Sequence, residues 1–102
     1  MDVLMTASFE RCLVQIRDWT AQSRIGLAIR RMRKGNLGDV KSVGSGVFET
    51  RIHYGPGYRI YFARRGAELV VLLACGDKRT QQSDIRRAIL LANHLDQEAS
   101  CL

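Results

Sequence analysis

The chain lacks several features that would assign it to a functional class directly. No run approaches the roughly 18 apolar residues that a membrane-spanning helix needs. Residues 1–5 lack the basic segment and long apolar core of a signal peptide. Neither a CxxC motif nor a cluster of cysteine and histidine is present, so we expect no metal site and no cofactor. These absences favour a cytoplasmic protein that makes no contact with a membrane.

Cysteine is scarce and its pattern is irregular. The three cysteines, Cys12, Cys75 and Cys101, are odd in number and widely spaced. Cys12 falls in a helical pattern and Cys75 ends an apolar strand. The sequence therefore predicts two buried thiols and one thiol in a C-terminal tail.

The charge balance is basic, with 16 Lys and Arg against 10 Asp and Glu, a net charge of +6 and a pI near 9.8. This balance favours an anionic partner, either nucleic acid or an acidic protein. The alternative is a generic basic protein whose charge only solvates it. A length of 102 residues suits one domain with one core, which we place at residues 1–95, followed by a polar tail at 96–102.

The N-terminal third reads as helical. Residues 2–5 form at most a short edge strand. Phe9, Leu13 and Ile16 then recur at helical spacing, and a second amphipathic pattern covers residues 21–34. Two such helices joined near residues 18–20 predict a helical hairpin. Residues 35–46 contain four glycines and no apolar period, which indicates the longest loop of the domain.

Three strands and a helix follow. The strands are predicted at residues 47–54, 58–63 and 69–75, with a tight turn at residues 55–57 and a final helix from about residue 80 or 83 to Leu95. The third strand has no polar alternation, which indicates burial on both faces. The order predicts an α+β domain, an antiparallel β-meander with an N-terminal helical hairpin and a C-terminal helix on one face. The opposite face is expected to be open.

Strand alternation collects polar side chains on that open face. Because successive side chains point to opposite faces, pairing the apolar sides of the first two strands brings Arg51, His53, Arg59 and Tyr61 together. Two guanidiniums, an imidazole and a phenol suit phosphate binding and proton transfer. The alternative is a solvated sheet face, which is usually polar in any case.

Several segments resemble one known family. They are GNLGDVK at 35–41, GV at 46–47, RIHYGPGYRIYF at 51–62 and GDKRTQ at 76–81, followed by Asp84 and Ile85. In this order they resemble the HigB-like addiction module killer branch of the RelE/ParE toxin superfamily, from about Phe9 to Leu95. The resemblance implies a RelE-like fold and a type II toxin. Most such toxins cut messenger RNA in the ribosomal A site, and a minority poison DNA gyrase. The implied partner is a helix-turn-helix antitoxin, HigA-like.

RNA cleavage without a metal needs a base for the 2′-hydroxyl, cations for the phosphate and an acid for the departing 5′-oxygen. Arg59 matches the family's functional arginine and is expected to clamp the phosphate, with an ion pair to Glu49 or Asp77 as the alternative. Arg51 is the second clamp. His53 is the acid/base candidate, or else a hydrogen-bonded bystander. Lys78 stabilises the phosphate or protonates the leaving oxygen, or else only solvates its turn.

Further RNA contacts are expected from Tyr61, by stacking on a base, and from Arg79, Lys34 and Lys41. The run that contains Arg30, Arg31, Arg33 and Lys34 has two interpretations. It contacts ribosomal RNA, or it solvates its helix and meets an acidic antitoxin. A third class of function also stays open, namely a non-toxic basic domain that binds a partner or operator DNA.

Overall fold

The elements confirm the predicted α+β class. The computed structural model describes the backbone of residues 1–100 and the side chains of residues 1–95. The elements are β1 (Asp2–Met5), α1 (Ala7–Gln15), α2 (Trp19–Arg33), β2 (Asp39–Gly44), β3 (Val47–Ile52), β4 (Tyr58–Arg65), β5 (Leu69–Gly76), a 3₁₀ turn (Lys78–Thr80) and α3 (Gln81–Ser100). Within this described part, none of the helices is long and apolar enough to span a bilayer.

The sheet is larger than the predicted three-stranded meander. Its order is β1-β5-β4-β3-β2. The four strands from β2 to β5 pair antiparallel in sequence order. The N-terminal strand β1 adds to the outer edge of β5 in parallel. The predicted edge strand at residues 2–5 is therefore present, and the sheet is mixed.

The predicted loop at residues 35–46 is wrong, because Asp39–Gly44 forms β2 and pairs with β3. The glycines stand at the ends of this strand instead of inside a loop. Gly35 has φ +91° and closes α2, while Gly44 and Gly46 have φ +100° and +76° in the turn to β3. The high glycine content therefore reflects two turns, one on each side of a short strand. The strand itself contains few apolar residues, so the sequence did not predict it.

Helices cover both faces of the sheet, so the expectation of an open face is wrong. On β4, Ile60 and Phe62 pack in a core cluster with α1 and α2. The alternate residues of β4, Tyr61 and Ala63, pack in a second cluster with Ala88 and other residues of α3. Alternation along a strand separates the two faces. The helical hairpin and α3 therefore lie on opposite sides.

Two side chains of β5 illustrate the double burial predicted for that strand. Leu72 packs toward the helical hairpin and Leu73 toward α3, and both are fully buried. At its other end α3 continues to Ser100. It thus passes the predicted end at Leu95 and covers residues 96–100, which we expected to belong to a frayed tail.

A disulfide bond joins Cys12 in α1 to Cys75 in β5, so the prediction of two free buried thiols is wrong. The pair is separated by 63 positions in the sequence. Spacing alone gave no reason to pair these two cysteines, because contact between α1 and the end of β5 depends on the fold. The predicted tail thiol, Cys101, lies outside the described residues.

We predict that reduction of the disulfide lowers the stability of the protein strongly. Closing a loop of this length constrains the unfolded chain by about 4 kcal/mol. In a domain of this size, that difference corresponds to a fall in Tm of roughly 15 °C or more. Thermal unfolding followed by circular dichroism, with and without dithiothreitol, measures the change. The Cys101→Ser variant should respond to the reductant like the wild type, whereas Cys12→Ser/Cys75→Ser should not respond. An unchanged Tm in the reduced wild type would contradict the bond.

Candidate functional site at the hairpin end of the sheet

The candidate residues converge where β3 turns into β4, which we call the hairpin end (residues 51–59 with the β5–α3 connection, 76–80). The Gly55-Pro56-Gly57 turn is closed by the amide of Gly57, which donates to the carbonyl of Tyr54 at 3.2 Å. Gly55 and Gly57 take φ values of +58° and +81°, which favour glycine. The amide of Lys78 donates to the carbonyl of Pro56 at 3.4 Å. The turn is thus tied to the connection that leads into α3.

An exposed cluster of Asp39, Arg51 and His53 lies at this end, and we call it the Asp39 cluster. Asp39 Oδ2 lies 2.7 Å from His53 Nε2 and 3.4 Å from Arg51 Nε. The hydrogen bond from His53, followed by the charge of Arg51, lowers the pKa of Asp39. Because an ionised carboxylate only accepts hydrogen bonds, Nε2 of His53 is the donor in this pair. The cluster thus presents an oriented imidazole beside a guanidinium.

Arg59 lies opposite Arg51 in the strand register, yet the two arginines have different environments. Arg59 is 8% exposed. Its Nε lies 3.5 Å from Glu49 Oε1, and its Nη1 donates to the carbonyl of Gly57 at 2.8 Å. The ion pair with Glu49, which was the alternative in the sequence, is the arrangement observed. A buried guanidinium held in this way reinforces the turn and is poorly placed to reach a phosphate.

Glu49 is the centre of a buried layer that we call the Glu49 layer (Glu49, Arg59, Tyr61 and Gln81). Glu49 is 1% exposed, and it accepts a hydrogen bond from Gln81 Nε2 at 2.9 Å. Tyr61 is fully buried, so its ring has no free face and the predicted stacking on a base is wrong. Burial, together with the nearby carboxylate of Glu49, raises the pKa of Tyr61. Its hydroxyl, like Arg59 Nε, has no hydrogen-bond partner within the described part of the chain.

Lys78 and Arg79 lie beside the hairpin turn and are exposed. A Cβ atom added at Gly57 would lie 3.4 Å from Arg59 Nη1 and 3.9 Å from Lys78 Cβ, so these three residues are close together. Arg79 Nη2 lies 3.1 Å from Asp77 Oδ2, and its amide donates to Asp77 Oδ1 at 2.8 Å. Both bonds lower the pKa of Asp77. Lys78 is therefore the less constrained of the two cations.

The other two predicted RNA contacts lie outside the hairpin end. Lys34 caps the C-terminus of α2 and lines a shallow cleft with Leu27, Arg30, Arg31 and Arg33. Lys41 is exposed on the edge strand β2, opposite Glu49 in the register. The structure thus groups Arg51 and His53 in one cluster, with Lys78 near the buried Arg59. It does not bring Lys34 to them.

Sequence reasoning missed one acidic residue that organises this end, Asp39, and it gave Glu49 only as a possible ion-pair partner of Arg59. Asp39 was assigned to a loop, although the alternation of Asp39, Val40 and Lys41 was a weak strand signal.

In the connection from β5 to α3, the hydroxyl of Thr80 donates to Asp84 Oδ2 at 2.6 Å. A Cβ at Gly76 would lie 1.8 Å from that same oxygen. The spacing of Gly76, Thr80 and Asp84 is therefore explained by the packing of the turn into α3.

Comparison with known proteins assigns the chain to a family. A family model described as "Phage derived protein Gp49-like (DUF891)" matches residues 16–95, which is most of the chain. The chain belongs to this family. The Gp49-like family is a family of RelE-like toxins. The chain is also similar to an uncharacterised protein of Haemophilus influenzae, with 42% identity over 95 residues, 93% of this chain and 96% of that relative.

The Gp49-like match includes the Asp39 cluster, the Glu49 layer and Lys78, and Cys12 precedes it. One cysteine of the disulfide, Cys75, therefore lies within the matched residues and the other lies outside them. The HigB branch within the wider toxin superfamily stays a prediction.

We predict that removing Arg59 destabilises the protein much more than removing Arg51. The Arg59→Met change leaves Glu49 charged and buried without its cation, at a cost of about 3 kcal/mol. Arg51→Met breaks a half-exposed pair and should cost less than about 1 kcal/mol. Urea unfolding measures both changes. The double variant Arg59→Met/Glu49→Leu should recover more than half of the loss, since it removes the stranded charge. Equal effects of the two single substitutions would contradict the burial of this pair.

Proposed function

We propose that this protein is the toxin of a type II toxin–antitoxin module and that it cuts translated messenger RNA as a ribosome-dependent endoribonuclease without a metal ion. In this reaction the 2′-hydroxyl of one nucleotide attacks the adjacent phosphorus. The bond to the 5′-oxygen breaks, and the products are a 2′,3′-cyclic phosphate and a free 5′-hydroxyl. A proton leaves the 2′-oxygen and a proton is delivered to the 5′-oxygen.

One observation carries the proposal, the Asp39 carboxylate that holds His53 at 2.7 Å and Arg51 at 3.4 Å on an exposed surface. Cleavage requires a proton-transfer group and a phosphate-binding cation side by side. Asp39 orients both. The imidazole serves as the acid or base through Nδ1, and the guanidinium of Arg51 stabilises the extra charge on the phosphate. The membership in a RelE-like toxin family supports the same activity.

The remaining residues take supporting roles in this proposal. Lys78, exposed beside the turn, supplies a second cation for the phosphate or the leaving oxygen. Arg59 acts as a positioning residue, because it anchors Gly57 and through it the turn that carries His53. Arg79, exposed beside the turn, and Lys41, exposed on β2 outside the hairpin end, contact RNA only through charge.

The proposed partner is a helix-turn-helix antitoxin of the HigA kind that neutralises the toxin. The basic character of the chain, with its net charge of +6, suits both the ribosome and an acidic antitoxin surface.

We predict that Arg51→Ala abolishes growth arrest, because the phosphate loses its exposed guanidinium while the fold is kept. Loss of a single charge-stabilising group of this kind typically lowers the rate by about 100-fold or more. The matched control is Arg64→Ala, which removes an exposed strand arginine paired with Val70 at the other end of the sheet. Induced expression in bacteria, followed by mapping of message 5′ ends, provides the measurement.

The expected result is clusters of cuts within translated codons for the wild type and Arg64→Ala, and none for Arg51→Ala. Intact messages together with DNA-damage signalling would contradict the proposal and favour gyrase inhibition. Growth without any arrest in the wild type would favour a non-toxic binding domain.

A further inference from the structure

A basic cleft adjoins the Asp39 cluster on the side of the helical hairpin, and we call it the α2 cleft. It encloses about 340 Å³ between α2 and the start of β2 and end of β3. Arg24, Leu27, Ala28 and Arg31 form one wall, and Asp39, Arg51 and His53 are part of the other. Neither the family match nor the proposed reaction assigns a role to Arg24 or Arg31.

The periodicity of α2 explains why these two arginines face the cleft. Residues 24, 28 and 31 are spaced by four and three, so they share one side of a helix with 3.6 residues per turn. The core stripe of the same helix contains Ala21, Ile25, Ile29 and Met32, which are buried. The cleft stripe lies directly beside it. Arg30 and Arg33 project from other parts of the helix surface and do not line this cleft.

Arg24 is oriented by a contact with the hairpin end. Its guanidinium lies 4.8 Å from the centroid of the Tyr54 ring, which is a cation–π contact. The hydroxyl of Tyr54 in turn donates to Asp18 Oδ2 at 2.9 Å, at the N-cap of α2. Arg24 is therefore held against the hairpin end at a small entropic cost for binding.

The charge of the cleft is unbalanced. Three arginines and His53 are among its lining residues, and Asp39 is its one acidic lining residue. Arg51 and His53 already bind that carboxylate. In the part of the chain with described side chains, neither Arg24 nor Arg31 forms an ion pair. Both are exposed to solvent, and they leave a net positive groove that leads to the Asp39 cluster.

We propose that the α2 cleft binds the phosphates of single-stranded RNA next to the nucleotide that is cleaved. This inference rests on the proposed function for the position of the cleaved bond. The cleft suits an extended single strand, whose phosphates Arg24 and Arg31 contact from the helix side. From these arginines the strand reaches Arg51 and His53, which belong to the opposite wall of the same cleft.

The test compares two variants that lose the same charge from the same helix. Arg24→Gln/Arg31→Gln removes the pair in the cleft, and Arg30→Gln/Arg33→Gln removes a pair outside it. The probe is a fluorescent 12-nucleotide RNA with 2′-O-methyl groups, which lacks the attacking hydroxyl and is not cut. Fluorescence anisotropy across a series of salt concentrations gives Kd and its salt dependence.

We expect the cleft variant to bind at least about 10-fold more weakly, and its log Kd–log salt slope to fall by roughly 1 to 1.5, since each phosphate contact on a single strand contributes about 0.7. The control variant should bind within about twofold of the wild type. Equal losses in the two variants would overturn the inference, because they would show only long-range attraction. Absence of RNA binding by the wild type, or equal competition by polyglutamate, would also overturn it.

The binding experiment tests the α2 cleft independently of the proposed nuclease activity. Binding of an uncleavable RNA does not depend on catalysis, so a cleft variant that loses binding supports the inference even if the wild type cuts no message. Conversely, message cleavage by a cleft variant with unchanged RNA binding overturns the inference and leaves the nuclease intact. All four substituted arginines are exposed, so each variant should keep the wild-type Tm within a few degrees.

Discussion

The buried carboxylate of Glu49 ties three elements together, and the layout of the site depends on it. Glu49 belongs to β3, Arg59 to β4 and Gln81 to the first turn of α3. A carboxylate that is 1% exposed is costly to bury without a cation and hydrogen-bond donors. Arg59 is therefore held in place, and α3 begins directly over the sheet. This arrangement covers one face of the sheet, so the exposed candidate residues lie at the end of the sheet.

The closure separates two arginines that the strand register makes neighbours. Arg59 satisfies the internal charge, and Arg51, opposite it, remains half-exposed on the Asp39 cluster. The two carboxylates therefore have different roles. Glu49 stabilises the buried structure, and Asp39 orients exposed side chains. The α2 cleft extends the exposed cluster on the other side of the sheet from α3.

The sequence was sufficient for the class of fold, the helical hairpin, the three apolar strands and the grouping of Arg51 with His53, because these follow from periodicity. It was insufficient wherever tertiary contact decides. The prediction missed β2 because glycine content alone does not distinguish a long loop from a short strand between two turns. The positive φ angles that place the glycines in the turns are known only from the structure. Strand alternation placed Tyr61 and Arg59 on the correct face, but it contains no information on which helix covers that face. The partner of Cys12 likewise became visible only in the fold.

The disulfide adds a covalent link between a helix and the sheet. It fixes α1 to the last part of β5, immediately before the turn that carries Lys78. Stable disulfides are rare in the reducing cytosol. The disulfide therefore does not fit the cytoplasmic location that the sequence led us to expect. The packing of Phe9 and other apolar residues holds the same elements together independently of the bond.

The central claim is that α3 and Glu49 bury Arg59 while Arg51 stays available to a phosphate. Brief modification of the folded protein with an arginine-selective dicarbonyl, followed by peptide mass spectrometry, measures this difference at both residues in one sample. The account predicts rapid modification of Arg51 and protection of Arg59, with protection lost in denaturant. Equal modification of the two arginines in the folded protein would contradict it.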